Sequence, residues 1–291
     1  MSVVSSIKIK HFMIGYLSLL IVYIAVFFNN YFALISSAVT VSMYVVCDLA
    51  WTYWRQRVWY VPLSSVISGL VLSMVIAPDP SFAPAIFLPF IAVIGKQLFH
   101  FGKERHLLNP AAFALAMASF VAPLVAWWGP STSRTPASFG GFLRPDAANI
   151  LFFILLLGGL YILWRQNKWM VAVAFFAAQA FFLMLISLAD GIDLPITEIL
   201  SSRLFNGVTI FFATVMLIEP MTSMFGDWKN EFIYGFIVGV VTIAIGYVEQ
   251  NFSFISLDTL IFGLIIGNFI AGIWFLPSKP KAVPQPSSHR V

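Results

Sequence analysis

Ten apolar segments, each close to the length of a membrane-spanning helix, make up most of this 291-residue chain. A spanning helix needs about 20 mostly apolar residues. Apolar residues form 60% of the chain and charged residues only 10%, whereas about a quarter of a soluble domain is charged. The sequence therefore predicts an all-α integral membrane protein, with helices at roughly residues 12–28, 31–50, 58–77, 84–99, 109–128, 149–164, 169–188, 204–218, 231–248 and 257–276.

The basic residues predict the orientation of these helices. An even number of spans places both termini on one side, and that side would carry 13 of the 16 Lys and Arg residues: Lys8, Lys10, Arg55, Arg57, Lys96, Lys103, Arg105, Arg165, Lys168, Lys229, Lys279, Lys281 and Arg290. Cytoplasmic loops of membrane proteins show this excess of positive charge. We therefore expect cytoplasmic termini and interpret the net charge of +4 as topology, with no nucleic-acid partner.

The two ends of the chain have their own signals. The first apolar segment follows two lysines as a signal sequence does, but no small-residue cleavage site follows it, so we expect a retained anchor. The last 15 residues, 277–291, are rich in Pro, Ser and Lys. This composition predicts a disordered cytoplasmic tail.

An internal repeat is suggested by two acid–proline pairs. The third apolar segment ends at Asp79-Pro80 and the eighth at Glu219-Pro220, so the two prolines are 140 positions apart. Because five is odd, a second five-helix copy would insert upside down, and function would lie near the interface of the repeats. The alternative is that an acid–proline pair simply ends a membrane helix. The repeat predicts a first half at 1–128, an outer loop at 129–148 and a second half at 149–276.

A candidate anion site precedes the fifth helix. Asn109 suits an N-cap and Pro110 the first helical position, and Lys103, Arg105 and His106 lie just upstream. Free amides at a helix start, beside cations, could hold a phosphate, a carboxylate or a reduced flavin ring. The alternative is a capped helix with ordinary cytoplasmic charges.

The outer loop is a second candidate, because it is long, rich in hydroxyl groups and placed between the two halves. It contains Thr132, Ser133 and Thr135. Long loops of this kind often carry function. The alternative is a plain connector.

Two polar residues are candidates for ion handling. Glu219, close to Thr222, lies at the end of the eighth segment, and an acid at membrane depth is costly unless it is paired or hydrated. It could handle an ion or a proton, or it could simply face water. Asn268 lies well inside the tenth segment, where its alternative role is a hydrogen bond between helices.

The sequence does not indicate disulfide, metal or side-chain catalytic chemistry. The chain has one cysteine, Cys47, and four scattered histidines, so we expect no disulfide, metal site or iron–sulfur cluster. The sequence shows no nucleophile–base pair and no paired catalytic carboxylates, so no catalytic residue is assigned. Glycine pairs at spacing four, Gly235 with Gly239 and Gly263 with Gly267, predict close helix packing.

The segment from Gly102 to Phe113, with its Asn109-Pro110-Ala-Ala-Phe113 run, resembles the NqrB/RnfD family. These proteins are membrane subunits of the sodium-translocating NADH:quinone reductase and of the Rnf electron-transport complex. The run from Phe211 to Ser223 resembles the second-half signature of that family. The length is nearer the RnfD type. The inverted-repeat fold that the resemblance implies is similar to that of urea transporters.

The resemblance implies electron transfer through flavins. Family members carry FMN on the threonine of a Ser/Thr-Gly-Ala-Thr motif, which matches Thr132 to Thr135 here, with Thr135 as the attachment residue. Ser133-Arg134 stands where the motif has Gly-Ala, and the expected upstream Asp is absent. A second, noncovalent flavin or riboflavin would bind near Lys103, Arg105 and Asn109.

The implied function is a subunit of a redox-driven translocase for Na⁺ or H⁺, linked to NADH or ferredoxin and inactive alone. Other Nqr/Rnf-type subunits would deliver and remove the electrons. The implied location is the plasma (cell inner) membrane of a bacterium or archaeon. Two alternatives remain, a channel or transporter for a small solute and a scaffold subunit that has lost its flavin.

Overall fold

The computed structural model describes most of the chain, with gaps. The described residues are 3–78, 80–101, 105–120, 126, 128–135, 143, 145–189, 204–219, 223, 227–251 and 258–274. Of the residues singled out above, Asp79, Gly102, Lys103, Pro220, Thr222 and the tail at 277–291 lie outside these ranges, as do residues 136–142 and 144 of the predicted outer loop. The backbone of Arg105 is described, whereas its side chain is not.

Helices dominate these residues, which confirms the predicted all-α class. Ten α-helices occur there, one within or overlapping each predicted apolar segment: α1 (Val3–Phe27), α2 (Tyr31–Gln56), α3 (Leu63–Val75), α4 (Ala83–Leu98), α5 (Pro110–Ser119), α6 (Ala147–Gln166), α7 (Trp169–Ala189), α8 (Gly207–Phe211), α9 (Trp228–Asn251) and α10 (Thr259–Trp274). A π-helix, Phe212–Met216, continues α8, and a 3-10 turn covers Gly129–Thr132. One small hairpin, β1 (His100–Phe101) and β2 (Arg105–His106), precedes α5.

Five of the described helices are long and apolar enough to cross a membrane: the Ile9–Phe27 part of α1, together with α2, α6, α7 and α9. The other five apolar helices have 10–17 residues when α8 is counted with its π-helix. At 1.5 Å per residue, a ten-residue helix covers about 15 Å, half of a hydrocarbon core of about 30 Å. The helix in the apolar segment predicted at 109–128 ends at Ser119. The predicted segment is longer than the helix because hydropathy reports exclusion from water and not the position at which a helix ends.

Side-chain caps fix where several helices begin. Asn30, Asp146 and Asn206 accept hydrogen bonds from the backbone N–H groups of residues three positions later, at the starts of α2, α6 and α8. Arg57 and Asn167 end α2 and α6 in the left-handed conformation. Such caps satisfy N–H and C=O groups that the helix itself leaves unpaired.

The long and the short helices pack on one another in a continuous series of contacts. The long helix α2 packs on α3 and α4, and α4 packs on α5, while α7 packs on α9 and α9 on α10. Two pairs join the two parts of the chain, α1 with α6 and α5 with α10. Gly235 and Gly239 of α9 lie against α7, and Gly263 and Gly267 of α10 lie against α9, which confirms the close packing predicted for these glycines.

Candidate functional site

The short helices α3, α5, α8 and α10 bring helix ends into the interior. Helix α5 contacts α3 and α10, and α8 packs on α6 and on the 3-10 turn. Helix ends carry unpaired N–H and C=O groups that need partners when they are buried. The structure supplies those partners at two places, and both link sequence-distant parts of the chain.

The first link joins the start of α5 to the end of the π-helix. The side chain of buried Asn109 accepts a hydrogen bond from the Ala112 N–H (3.0 Å), so it caps α5 as predicted. Its Nδ2 donates to the carbonyl oxygen of Met216 at 3.2 Å. Pro110 is the first helical residue, also as predicted. Both polar atoms of the Asn109 side chain therefore bond inside the protein, and flavin binding here stays a prediction.

The second link joins the start of α10 to the end of α3. One carboxylate oxygen of Asp258 caps α10 by accepting the N–H groups of Leu260 and Ile261. The other accepts the indole N–H of Trp128. The main-chain N–H of Trp128 donates to the carbonyl oxygen of Val75 at 3.2 Å. Trp128 therefore connects the last residue of α3 to the cap of α10.

The π-helix lies between these links. The N–H of Leu217 bonds to the carbonyl oxygen of Phe212, five residues earlier. The ring of Phe212 lies 6.4 Å from the ring of Trp128 and 5.3 Å from that of Phe175, centroid to centroid. π-Helices are rare and are frequent at functional sites. The π-helix is therefore a further reason to regard the region between the two links as a candidate functional site.

A buried carboxylate on α2 forms the main polar cluster of the first half. Asp48 has no exposed side-chain surface and forms an ion pair with Lys96 of α4 at 3.0 Å. It also accepts hydrogen bonds from the hydroxyls of Tyr60 and Ser65, and from Nε2 of Gln97 at 3.3 Å. Four donors stabilise the ionised carboxylate where water cannot.

Asp48 is a site residue that the sequence did not predict, and Lys96 was predicted only as one of the cytoplasmic charges. The available signal was one acid inside an apolar run, Val45-Val-Cys-Asp48-Leu, because an ionisable residue in such a run is a functional candidate by default. The side chain of Lys96 is 15% exposed. This charge is therefore mostly buried in an ion pair.

Glu219 follows the π-helix and lies in the electrostatic range of this cluster. Its carboxylate interacts electrostatically with Lys96, and Tyr44 of α2 is in range of both Asp48 and Glu219. The carbonyl oxygen of Glu219 accepts hydrogen bonds from the N–H and the hydroxyl of Ser223. Lys96 thus acts on one carboxylate from each half of the chain.

Asn268 makes the contact between helices that was its alternative role. It is buried on α10, and its Oδ1 accepts the hydroxyl hydrogen of Tyr234 on α9. Among the described residues, its Nδ2 has no hydrogen-bond partner. Tyr234 is in electrostatic range of Glu219, so Asn268 and Glu219 share this neighbour.

The outer segment at 129–135 is fixed by contacts with α6 and with the residues that precede α8. The Thr132 hydroxyl donates to the carbonyl oxygen of Gly129 at 2.9 Å, and the Thr135 hydroxyl to that of Phe205 at 3.2 Å. The backbone of Arg134 bonds to Ala148 and to the Asn149 side chain. Thr132 and Thr135 therefore lie in one anchored segment, and their role in flavin binding stays a prediction.

Three features of this segment bear on a flavin attached to it. Arg134 is exposed, so its side chain is not buried in the core. A Cβ atom on Gly207 would lie 1.8 Å from the Ser133 hydroxyl, so this face of the segment packs directly on α8. The Thr135 hydroxyl is at the surface. The residues present fit a group attached at Thr135 from the outside.

No metal site is indicated in the described part of the chain. It contains no group of three or more His, Cys, Asp or Glu side chains that could hold a metal ion.

Comparison with known proteins shows which family this chain is similar to. Residues 2–273 match the profile of the NQR2, RnfD, RnfE family. The chain is also similar to the D-type component of the ion-translocating oxidoreductase complex of Methanosarcina acetivorans, with 24% identity over 227 residues, which cover 75% of this chain and 71% of the relative. The match extends over both parts of the fold described above, and the chain belongs to the NQR2, RnfD, RnfE family.

Proposed function

We propose that this chain is a membrane subunit of an ion-translocating electron-transport complex of the Nqr/Rnf type and passes electrons through bound flavin. The main support is the family match over residues 2–273. The relative from Methanosarcina acetivorans is by name a subunit of an ion-translocating oxidoreductase complex. Partner subunits, with NADH- or ferredoxin-linked chemistry, would deliver and remove the electrons in the plasma membrane.

We propose further that the two halves, 1–128 and 149–276, are inverted repeats with cytoplasmic termini. Packing of α2 on α4 and of α4 on α5 has counterparts, five helices later, in α7 on α9 and α9 on α10. The pairs α1–α6 and α5–α10 would each lie on the axis that relates the halves. Short helices in corresponding positions of two halves are typical of sites in inverted-repeat transporters.

The ion path would pass the Asp48–Lys96 cluster of the first half and Glu219 of the second. Lys96 acts on both Asp48 and Glu219, and buried charges in membrane proteins mark ion or proton pathways. Four donors hold the Asp48 carboxylate. Glu219 is in electrostatic range of Lys96, has Thr222 close in sequence and shares the neighbour Tyr234 with Asn268, and it is our candidate for the group that handles a passing Na⁺ or H⁺.

We expect Glu219→Gln to lower redox-driven ion uptake by about tenfold or more. Loss of one charged contact to the ion, worth about 1.5–3 kcal/mol, changes binding by one to two decades. The measurement is ion uptake by sealed vesicles that contain the complete complex. Glu249→Gln, near the end of α9, is the matched control and should leave uptake unchanged. Normal uptake in Glu219→Gln would exclude Glu219 from the path.

The cofactor would be FMN, attached to Thr135, with a second noncovalent flavin or riboflavin near Lys103, Arg105 and the start of α5. A bound flavin supplies the electron-transfer chemistry, and the protein supplies position and electrostatics. The outer segment contributes the surface hydroxyl of Thr135 and a rigid support, because its backbone bonds to α6 and its other face packs on Gly207.

Covalent attachment predicts an FMN adduct on the peptide that contains Thr135. The chain should be produced together with the partner subunits and a flavin transferase, and its peptides analysed by mass spectrometry. Thr135→Ala should remove the adduct completely, because no other atom can form the phosphoester at that position. Ser131→Ala removes an exposed hydroxyl just outside the motif; it is the control and should retain the adduct. An unmodified Thr135 peptide from the active wild-type complex would contradict the attachment.

A channel or transporter for a small solute is the second candidate, and the paired short helices favour it because many solute transporters are built this way. A visible spectrum separates the two functions. A yellow preparation that dithionite bleaches supports electron transfer. A colourless protein that moves a solute into liposomes supports transport.

A further inference from the structure

Trp128 lies where the outer segment enters the core. It directly precedes the 3-10 turn, and its carbonyl oxygen accepts the N–H of Ser131 at 2.7 Å. The same turn continues to Ser133, whose N–H bonds to Pro130. Only 6% of Trp128 is exposed. A displacement of the segment that carries Thr135 therefore reaches Trp128 through a short, hydrogen-bonded stretch of backbone.

Three of the five shorter helices, counted with the π-helix and the N-cap of α10, have a contact with this one residue. Its main-chain N–H bonds to Val75 at the end of α3, and its indole N–H bonds to Asp258 at the start of α10. Its ring meets Phe212 of the π-helix edge to face. No neutral apolar residue could replace all three contacts, because the contact to Asp258 needs an N–H donor.

The backbone of Trp128 is held in an unusual conformation. Its φ angle is 54°, in the left-handed region, which bulky residues rarely adopt. Such strain persists only where surrounding contacts over-determine the position, and it clusters at switch regions and functional sites. The contacts to Val75 and Asp258 are the constraints present here.

The two carboxylate oxygens of Asp258 have different hydrogen-bond partners. Oδ1 caps α10 through the N–H groups of Leu260 and Ile261. Oδ2 accepts the indole N–H of Trp128. A cation that approached Oδ2 would compete with this indole donor, whereas the cap on α10 would remain in place.

We propose that Trp128 is a positioning residue that couples the outer segment at 129–135 to Asp258 and so sets whether Asp258 is open to a cation. While the indole N–H is bonded to Oδ2, a cation cannot bind to that oxygen. Displacement of the segment moves the indole away, and Oδ2 then becomes accessible to a cation. The inference rests on the proposed function for its role in ion movement, but the contact itself is testable without electron transfer.

The test is reaction of Asp258 with a hydrophobic carbodiimide, read by mass spectrometry on the complete complex in membranes. Trp128→Phe keeps an aromatic ring and loses the N–H donor. Because a hydrogen bond to a charged group changes an equilibrium by about tenfold or more, we expect about tenfold more labelling of Asp258, and Na⁺ should suppress it. Trp54→Phe, at a position that is 71% exposed, is the control and should label as the wild type does.

A second variant tests the coupling from a distance. A Cβ atom on Gly207 would lie 1.8 Å from the Ser133 hydroxyl and 2.4 Å from the Pro130 carbonyl oxygen. Gly207→Ala must therefore shift the outer segment and α8 relative to each other, and the proposal predicts increased labelling of Asp258. Asp48 reports on folding, because its buried carboxylate reacts only if the helices separate.

The outcomes are distinct. Increased Asp258 labelling in both variants, with Asp48 unlabelled, supports the proposal, and unchanged Asp258 labelling in both overturns it. If Trp128→Phe exposes Asp48, that variant has unfolded and Gly207→Ala decides. In the intact complex, Trp128→Phe should also lower the number of ions moved per electron by severalfold at an unchanged electron-transfer rate. Failure of the proposed function would instead appear as a wild-type complex without redox-driven ion uptake.

Discussion

Replacing Lys96 by methionine is expected to destabilise the protein by about 3–5 kcal/mol, the usual effect of removing one partner from a buried ion pair. Asp48 would remain charged with no exposed side-chain surface and would keep only its neutral donors. The unfolding midpoint of the purified protein in detergent should fall by about 10 °C. The measurement is a thermal unfolding curve for the variant beside the wild type.

Two variants separate the ion pair from general effects of the substitution. Asp48→Asn combined with Lys96→Met removes both charges and should recover most of the lost stability, because an uncharged amide can still bond to Tyr60 and Ser65. Lys229→Met removes an exposed lysine of α9 and should leave the midpoint unchanged. If Lys96→Met alone melts as the wild type does, the pair contributes no stability.

Gly235→Ala is expected to have the second large effect, a loss of about 3 kcal/mol, at the upper end of the range for overpacked cores. The added Cβ would lie 2.1 Å from the carbonyl oxygen of Val171 and 2.9 Å from its carbonyl carbon. Both atoms belong to the backbone of α7, so no side chain can rotate away and the two helices must separate. Thermal unfolding in detergent measures the loss.

The same helix offers a matched control. Gly246 of α9 has Thr259 Cγ2 as its nearest neighbour, 3.6 Å from the added Cβ, which is an ordinary contact. Gly246→Ala should be neutral or stabilise by about 0.5–1 kcal/mol, because alanine favours the helix. Equal destabilisation by both substitutions would mean that helix flexibility, rather than the close approach to Val171, explains the effect.

Several local features were predictable because their causes are local in sequence. The Asn109-Pro110 pair predicted the start of α5, and the side chain of Asn109 does cap that helix. The glycines at spacing four in α9 and α10 predicted close packing, which the structure confirms. Helix ends in the interior were not predictable in the same way. Apolar residues continue past Ser119 whether or not the backbone remains helical, so hydropathy extended α5 too far.

Contacts between distant residues were the main gap in the predicted site. Asp48 and Lys96 are 48 positions apart, Asn109 and Met216 are 107, and Trp128 and Asp258 are 130. Nothing in the residues around Trp128 indicates a carboxylate partner. The sequence identified Glu219 and Asn268 as candidates, whereas it could not show that Lys96 lies in electrostatic range of Glu219 or that Tyr234 is their common neighbour.

By itself, the sequence determined that this protein consists of apolar helices, where most of them lie and which residues cap some of them. Those properties depend on hydropathy and on hydrogen bonds within a few positions of each other. The tertiary structure alone decided that α3, α5, α8 and α10 are short and central, that Asp48 is paired with Lys96, and that Trp128 joins the outer segment to Asp258. Pairing of buried charges and burial of helix ends depend on which helices pack together, and that arrangement is set by contacts across the whole chain.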